Sequence, residues 1–257
     1  QFFELMVQYA SRPEIEDDWS TTYDTSDEAN GTDFEAGASA MDRVCVILKG
    51  KQVQDMATQH IMSRINAADW ESRAAALTIL TYVAEGCHKQ FVKHLDMIVD
   101  DLILPKTKDE NPMVRYCAMQ SIAQMSTDFK PIFQEAYAAK VLPALCETLN
   151  DSVPRLVAMA AATLDQFFEE LDEDDEDEFT EAEWEGRVSD YKSMQPYMNP
   201  VAQAIIPALG NAQYNFQKQA ILTCLATLTQ VAGKLFTPFV DQLVPLYQQV
   251  LGMSEAA

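Results

Sequence analysis

Two runs of carboxylates are the sequence features most able to do chemistry. Positions 169–185, EELDEDDEDEFTEAEWE, contain 12 Asp or Glu residues among 17 and neither Lys nor Arg. Positions 13–35 add nine more carboxylates, again without a basic residue. Acid–base catalysis needs carboxyl groups held at a fixed separation, whereas mutual repulsion keeps runs of this kind extended and solvated. We therefore expect these runs to attract cations rather than to catalyse a reaction.

The rest of the sequence shows that this negative charge is local. The chain has 40 acidic and 18 basic residues and a net charge of −22, yet only 19 acidic residues lie outside the two runs. A strong negative potential disfavours nucleic acid, whose phosphates require clustered Lys and Arg. The same potential steers basic proteins toward the chain. We expect a basic protein partner and no direct nucleic-acid contact.

No arrangement of nucleophilic or metal-binding residues predicts an enzyme. Cys87 and His88 are adjacent, with His94 and Asp96 nearby, but neighbouring helical residues point to different faces. His60 has no cysteine or acidic residue at ligand spacing. Phosphate-binding glycine loops and the common hydrolase and zinc motifs are absent from the sequence. We expect no catalytic activity, no metal site and no cofactor.

Cysteine usage and hydropathy indicate the compartment. The five cysteines occur singly, which predicts reduced thiols inside the cell: Cys45, Cys87, Cys117, Cys146 and Cys224. No apolar run approaches the ~18 residues that span a bilayer, so we expect no membrane insertion. No cleavable signal pattern starts the chain. Because Gln1 already lies in a helical pattern, we expect the sequence to be part of a longer protein.

A repeated proline motif indicates that the chain reuses one helical unit. VLPAL, IIPAL and LVPLY place Pro143, Pro207 and Pro245 inside apolar helical runs, where a proline bends the helix. The last two prolines are 38 residues apart and the first two are 64 apart. The difference is about the size of the acidic run with its flanks. Without that insertion the period is close to 40 residues.

An arginine marker and the apolar periodicity support the same repeat. Arginines lie near the start of small-residue helical segments at intervals of 30, 42 and 40 residues: Arg43, Arg73, Arg115 and Arg155. Apolar residues recur at steps of three and four, as in helices that bury one face. The predicted helix pairs are 1–11 with 34–50, 51–66 with 70–86, 88–104 with 111–127, 131–149 with 152–171, and 191–209 with 213–233, followed by an unpaired helix at 235–251.

Two helices per unit of about 40 residues are typical of a HEAT-repeat α-solenoid. We predict an all-α, right-handed superhelix of about five and a half antiparallel helix pairs in residues 1–251. It includes an acidic loop at 13–33 and an acidic insertion at 172–186, and a tail follows at 252–257. The alternative, an irregular helical bundle, gives no reason for proline and arginine to repeat together.

Two consecutive segments resemble the central HEAT repeats of the karyopherin-β family. They are DWESRAAALTILTYVAEGCHKQF and NPMVRYCAMQSIAQMSTDFKPIFQ. The positions that carry the resemblance are Trp70, Arg73, Glu85, Gly86, Cys87, Pro112, Val114, Arg115, Met125, Asp128, Phe129 and Pro131. EDDW near the N-terminus, with AMDRV and LKGKQV after it, also resembles the acidic loop and next helix of the family. The similarity is densest over about residues 1–170 and is greatest to the importin-beta-3 branch.

The resemblance implies a nuclear transport receptor that shuttles between cytoplasm and nucleus. Such receptors bind basic localisation signals of cargo proteins, such as ribosomal proteins or histones, on the concave surface of the solenoid. They release cargo when Ran-GTP binds, and they contact Phe-Gly nucleoporins on the outer surface. Ran is expected to bind mainly through repeats that lie outside this sequence.

Candidate cargo-binding residues follow from this expectation. Carboxylates near the ends of the inner helices could accept Lys or Arg from an extended peptide. Aromatic rings could stack on its cations, at roughly 0.5–2 kcal/mol each. The candidates are Trp70, Glu85, Tyr116, Asp128, Asp165, Glu169 and Glu170. The alternatives are solvated helix ends for the carboxylates and packing between repeats for Trp70.

The acidic insertion is a further candidate. Its most acidic part comprises Asp172, Glu173, Asp174, Asp175, Glu176, Asp177 and Glu178. One hypothesis is a tethered polyanion that speeds the binding of basic cargo or competes for cationic sites. Trp19 and Trp184 would then anchor the two acidic runs to the solenoid. The alternative is an insertion that only increases solubility.

Two functions from other classes also fit parts of the sequence. A static HEAT-repeat scaffold subunit explains the repeats but not the acidic runs. An acidic histone chaperone explains the carboxylates but gives no reason for a regular 40-residue helical period.

Overall fold

A computed structural model of the chain describes residues 2–10, 17–22, 33–48, 50, 52–169, 194–250 and 252, and the regular structure in these ranges is helical. The acidic insertion at 172–186 and Glu170 lie outside the described residues. So do most of the acidic loop at 13–33 and most of the tail at 252–257. The chain divides into two compact units, one formed by residues 1–19 and 24–129 and the other by residues 20–23 and 130–257.

The first unit contains six helices in its described part. They are α1 (Phe2–Ala10), α2 (Asp33–Leu48), α3 (Gln54–Arg64), α4 (Trp70–Val83), α5 and α6 (Pro112–Asp128). The α5 run changes its hydrogen bonding along its length, through His88–Phe91, Val92–His94, Leu95–Met97, the π-helical Ile98–Ile103 and the 3-10 segment Leu104–Lys108. Neighbouring helices pack as antiparallel pairs, α1 with α2 and α3 with α4.

The second unit contains five helices in its described part. They are α7 (Ile132–Thr148), α8 (Pro154–Glu169), α9 (Gln195–Asn211), α10 (Asn215–Ala232) and α11 (Val240–Val250), the last preceded by a 3-10 segment at Gly233–Phe239. Helix α7 packs on α8, and α9 packs on α10. The predicted helices are thus confirmed as HEAT-type pairs, with ends shifted by a few residues.

Short polar side chains fix where the second helix of a pair begins. Asp69 accepts a hydrogen bond from the Ser72 amide at 2.8 Å, and Asn111 accepts one from the Met113 amide at 2.8 Å. These caps satisfy amides that have no partner inside the helix. Pro112 at the first position of α6 has no amide hydrogen to satisfy.

The prolines of the sequence motif lie inside first helices. Pro143 is in α7, Pro207 in α9 and Pro245 in α11, and all three side chains are exposed. Solvent can therefore satisfy the carbonyl that each proline leaves unpaired. A fourth copy of the motif, Pro105, was not predicted; it is the second residue of the last segment of α5 and precedes Pro143 by 38 residues. Pro105 cannot donate an amide hydrogen bond, and the helical run has 3-10 bonding at Leu104–Lys108.

The arginine marker is confirmed at three of its four positions, because Arg73, Arg115 and Arg155 lie near the start of second helices. Arg73 and Arg115 each occupy the fourth position of a second helix, and Nη1 of each donates to two carbonyls of the preceding turn. Arg43 was wrongly included: it is the eleventh residue of α2, which explains the short first interval of 30. Arg155 is the second residue of α8, two positions too early. The true repeat is read from the starts of α4, α6 and α8, which are 42 residues apart.

Second helices pack side by side in each unit. In the first unit, Thr81 Oγ1 lies 2.9 Å from Ser121 Oγ, and Thr78 Oγ1 lies 3.9 Å from Cys117 Sγ. These pairs are 40 and 39 residues apart in sequence, about one repeat. At the end of α4, the Gly86 backbone comes so close to Cys45 of α2 that an added Cβ would lie 2.4 Å from the Cys45 carbonyl carbon. Glycine is therefore required at this close approach.

One helical stretch, Asn215–Val250, is long and apolar enough to cross a membrane by length and composition alone. The expectation that no apolar run approaches this length was therefore wrong. The stretch is interrupted at Gly233, where φ is 50°. On its N-terminal side, the apolar face of α10 is buried against α8, as in a core helix of a solenoid.

Candidate functional site

Carboxylates gather at the C-terminal ends of second helices. Glu85 lies two residues after α4, Asp128 is the last residue of α6, and Asp165 and Glu169 lie in the last two turns of α8. The last turns of α4, α6, α8 and α10 contain no basic residue. A helix C-terminus has a partial negative charge, so each carboxylate there is unfavourable by about 0.3–1 kcal/mol. These ends are therefore set up to attract a cation.

In the first unit, the ends of α4 and α6 meet. The His88 ring, three residues after Glu85, stacks on the Phe129 ring, next to Asp128, with centroids 4.8 Å apart and planes at 11°. The Glu85 side chain is exposed and makes no ion pair with another described residue. Asp128 is half-buried, and its Oδ1 accepts a hydrogen bond from Gln124 Nε2 at 2.9 Å. Two predicted candidates thus lie at helix ends that the His88–Phe129 contact joins.

The stacking of His88 on Phe129 was not predicted from the sequence. They are 41 residues apart, and neither type of residue suggests by itself a stacked pair. The available signal was their place in the two family-like motifs, directly after Cys87 and Asp128. Phe129 is fully buried, so of the two rings only the exposed His88 ring can contact a ligand.

In the second unit, Asp165 is the most strongly perturbed of the candidates. Burial raises its pKa above the ordinary value, and a hydrogen bond with Thr227 of α10 opposes part of that increase. Its Oδ1 atom is buried and makes no hydrogen bond to a described residue. Glu169 is exposed one turn later. A buried carboxylate with a raised pKa is typical of a site that meets a charge or a proton from a ligand.

Replacing Asp165 with Asn should make the chain more stable at pH 7. The raised pKa means that the folded state binds a proton more readily than the unfolded state, so ionised Asp165 lowers stability and protonation restores it as pH falls. Asn lacks the charge, so its stabilising effect should disappear as the pH falls through the folded pKa of Asp165. Urea unfolding across the acidic range measures this. A loss of stability at pH 7 would contradict the prediction.

The two aromatic candidates lie elsewhere. Trp70 is the first residue of α4 and Tyr116 the fifth of α6, so they lie near the N-terminal ends of the second helices. Fourteen helical residues separate Trp70 from the end of α4, a distance of about 20 Å. Trp70 therefore does not join Glu85 in one pocket. The expectation that these rings stack on the same cations as the carboxylates stays a prediction for a ligand long enough to reach both ends.

Tyr116 packs against Trp19 of the acidic loop. Their ring centroids are 5.5 Å apart and the planes meet at 83°, an edge-to-face contact. Trp19 thus anchors the described part of this loop to α6, as the sequence predicted. The corresponding proposal for Trp184 falls outside the described residues.

The thiols do not act as nucleophiles in this environment. All five cysteines are free, and burial raises the pKa of Cys45 to about 12 and those of Cys87, Cys117 and Cys146 to about 11. Burial also raises the pKa of Cys224 well above its ordinary value. A thiol with a raised pKa forms little of the reactive thiolate at neutral pH. Among the described residues, no three His, Cys, Asp or Glu side chains are grouped to hold a metal ion.

Comparison with known proteins identifies the repeat. No protein-family profile matches the sequence. Importin subunit beta-3 of Saccharomyces cerevisiae is 29% identical over 242 residues, which cover 92% of this chain and 20% of that protein. Kap121p bound to Pho4p and Kap121p bound to RanGTP each match with a TM-score of 0.80 and 26% identity. They cover 98% and 97% of this chain, respectively, and 23% of Kap121p. Other similar structures are Kap121p bound to Nup53p and a Kap121p mutant in which lysine replaces three acidic residues.

The chain is similar to importin subunit beta-3 and to the karyopherin Kap121p over nearly its whole length. It spans about a fifth of the length of the curated relative that it matches. Like its karyopherin relatives, it is a HEAT-repeat α-solenoid segment.

Proposed function

We propose that this chain is a segment of a karyopherin-β nuclear import receptor and contributes a binding surface for basic nuclear-localisation signals. The observation that carries the proposal is the presence of carboxylates at the C-terminal ends of α4 and α6 in the first unit and of α8 in the second, whose last turns contain no basic residue. Lysine side chains of an extended cargo peptide would bind there, one repeat at a time. The binding set comprises Glu85, Asp128, Asp165, Glu169 and Glu170.

The spacing of carboxylates in Kap121p supports this proposal. The three acidic residues replaced by lysine in its mutant are 43 and 42 positions apart. Glu85 and Asp128 are also 43 positions apart, and Asp128 and Glu170 are 42 apart. Within the first unit, this interval of one repeat corresponds to the ends of consecutive second helices, α4 and α6. An extended peptide rises by about 3.3 Å per residue and helices pack 8–10 Å apart, so about every third residue of the peptide would meet a carboxylate.

The other partners follow from the relatives. Kap121p forms complexes with RanGTP and with Nup53p. We propose that the whole protein likewise releases cargo on binding Ran-GTP, mainly through repeats outside this chain. It would contact Phe-Gly nucleoporins and shuttle between cytoplasm and nucleus. We also propose that the insertion from Asp172 to Glu178 increases the rate at which basic cargo associates, by electrostatic steering.

A peptide-binding measurement tests the proposal. Fluorescence polarisation compares a labelled lysine-rich localisation peptide with a scrambled peptide of equal charge, at low and high salt. A preference for the ordered peptide that persists at high salt is expected for carboxylates at fixed spacing. Equal, salt-sensitive binding of both peptides would contradict the proposal, because a polyanion does not distinguish sequence. Deleting residues 172–185 should slow association and leave the preference intact; an unchanged rate would rule out steering.

A further inference from the structure

One carboxyl group of the second unit is not neutralised by its surroundings. Asp165 is half-buried in the last two turns of α8, and Thr227 of α10 makes a hydrogen bond with its carboxyl. The Oδ1 atom is nevertheless buried and makes no hydrogen bond to a described residue. A buried acceptor without a partner costs free energy, and it costs more when it is charged. Asp165 therefore weakens the fold, which favours a role in binding a ligand.

The titratable groups that face Asp165 do not balance its charge. From α10, Cys224 lies close enough to interact electrostatically with Asp165, and from α7, Cys146 lies close to Cys224. Both thiols are neutral at pH 7, because burial raises the pKa of Cys146 to about 11 and that of Cys224 well above its ordinary value. Glu169, one turn further along α8, is exposed and has the same sign as Asp165. Within the described part of the chain, no Lys, Arg or His forms an ion pair with Asp165.

A proton and an external cation therefore compete for this carboxyl. Burial raises the pKa of Asp165 above its ordinary value of 3.8, because it disfavours the ionised form. A cation that binds at the carboxyl has the opposite effect and stabilises the ionised form. By linkage, a ligand that binds the ionised carboxyl releases the proton, and a rise in proton concentration weakens the ligand.

The end of α8 favours an ammonium group as this cation. Asp165 and Glu169 are four residues apart and therefore lie on one face of the helix. The last turn of α8 contains no basic residue, and the helix C-terminus adds a partial negative charge. Lysine has a flexible four-carbon stem, so its ammonium group can reach a half-buried carboxyl from the solvent side.

We propose that a lysine of the cargo signal binds at Asp165 and displaces a proton, so that the affinity for cargo rises with pH. This inference rests on the proposed function and adds to it a coupling between cargo binding and pH. While Asp165 is protonated in the free chain, each unit of pH should change Kd by up to about tenfold. Once Asp165 is ionised, Kd should no longer depend on this group.

The affinity of the whole chain for a labelled lysine-rich peptide, measured from about pH 4 to about pH 8 at constant ionic strength, tests the proposal. Asp165→Asn has no proton to release, and it is expected to fold because it removes an unfavourable charge. The parent and the variant should bind the peptide alike at the acid end. Near pH 8 the parent should bind at least about tenfold more tightly, as expected for one hydrogen bond to a charged group. A ratio of the two Kd values that is the same at every pH would overturn the proposal.

Asp241→Asn is the matched control for this substitution. Asp241 is exposed in the first turn of α11, so its replacement removes the same charge from the second unit without touching the end of α8. This control should keep the pH dependence of the parent. Equal changes in the two variants would show that the effect belongs to the overall charge of the chain and would contradict the proposal.

Isothermal titration calorimetry in buffers of different ionisation enthalpy counts the protons that peptide binding releases. At the pH where the Kd of the parent changes most steeply, the parent should release more protons than Asp165→Asn, by up to about one per peptide. Equal release would overturn the coupling, even if the ordered peptide is still preferred over the scrambled one. Loss of that preference would instead overturn the proposed function, so the two failures are distinguishable.

Discussion

Replacing Arg73 with Met should lower the free energy of unfolding by about 3–5 kcal/mol. Arg73 and Asp109 are buried, with side-chain exposures of 9% and 8%, and the guanidinium makes four hydrogen bonds across two turns. Removing one partner of a buried ion pair leaves an uncompensated charge, and that loss is worth about 3–5 kcal/mol. Methionine keeps much of the apolar stem of the arginine side chain, so the change in stability measures the loss of the guanidinium. Equilibrium urea unfolding measures the change.

The pH dependence of the Arg73 variant provides an internal check. Burial tends to raise the pKa of Asp109, but hydrogen bonds from Arg73 and the Asn111 amide and the charge of Arg73 outweigh it, so the net pKa is below the ordinary value. A carboxyl with a lowered pKa contributes stability above its unfolded pKa of about 3.9. That stability is lost as pH falls through the lower folded value. The difference in unfolding free energy between the parent and the variant should therefore be constant near pH 7 and become smaller below about pH 4.

Arg43→Met is the matched control for this substitution. Arg43 is exposed in the middle of α2, and a surface change of this kind usually alters stability by less than about 0.5 kcal/mol. Similar losses of unfolding free energy in the two variants would show that the hydrogen bonds of Arg73 contribute nothing beyond a general effect of charge. If the stability difference between the parent and the Arg73 variant stays constant down to pH 2, Asp109 is not the group that causes its pH dependence.

The sequence predicted the helices because their signals are local. Apolar steps of three and four, polar caps such as Asp69 and Asn111, and helix-bending prolines all act within a few residues. The register of the repeat was harder to predict. Arg43 and Arg73 have neighbours of similar composition in the sequence. The start of α2 at Asp33 makes Arg43 its eleventh residue, too far from the helix start to match Arg73. The start of α5 at His88 was predicted correctly, but its C-terminal end was placed at 104 instead of Lys108, because the run continues past Pro105 with 3-10 bonding.

The candidate site was predictable by residue type but not by arrangement. The acidic residues Glu85 and Asp128 were identified from their positions near helix ends, and the structure places those ends together through the His88–Phe129 stack. Trp70 was assigned to the same ligand, yet the length of α4 separates it from Glu85.

Replacing both Glu85 and Asp128 with Lys should reduce the affinity for a lysine-rich localisation peptide by at least about 100-fold. A hydrogen bond to a charged group contributes about 1.5–3 kcal/mol, and each 1.4 kcal/mol is a factor of about ten in Kd. Two such contacts would be lost, and the new lysines would also repel the peptide. Fluorescence polarisation of the labelled peptide measures the change. Circular dichroism checks that the variant keeps its helices.

A control with the same change in net charge separates local contacts from the overall potential. Asp55 of α3 and Asp101 of α5 are exposed carboxylates on first helices, so Asp55→Lys with Asp101→Lys changes the net charge equally but leaves the second-helix ends intact. This control should weaken binding by only a few-fold, and the weakening should vanish at high salt. The loss of affinity in the Glu85 and Asp128 variant should remain at high salt, because salt screens short-range contacts less. Equal losses in the two variants would mean that peptide binding depends on the negative potential of the chain and not on carboxylates placed at repeat intervals.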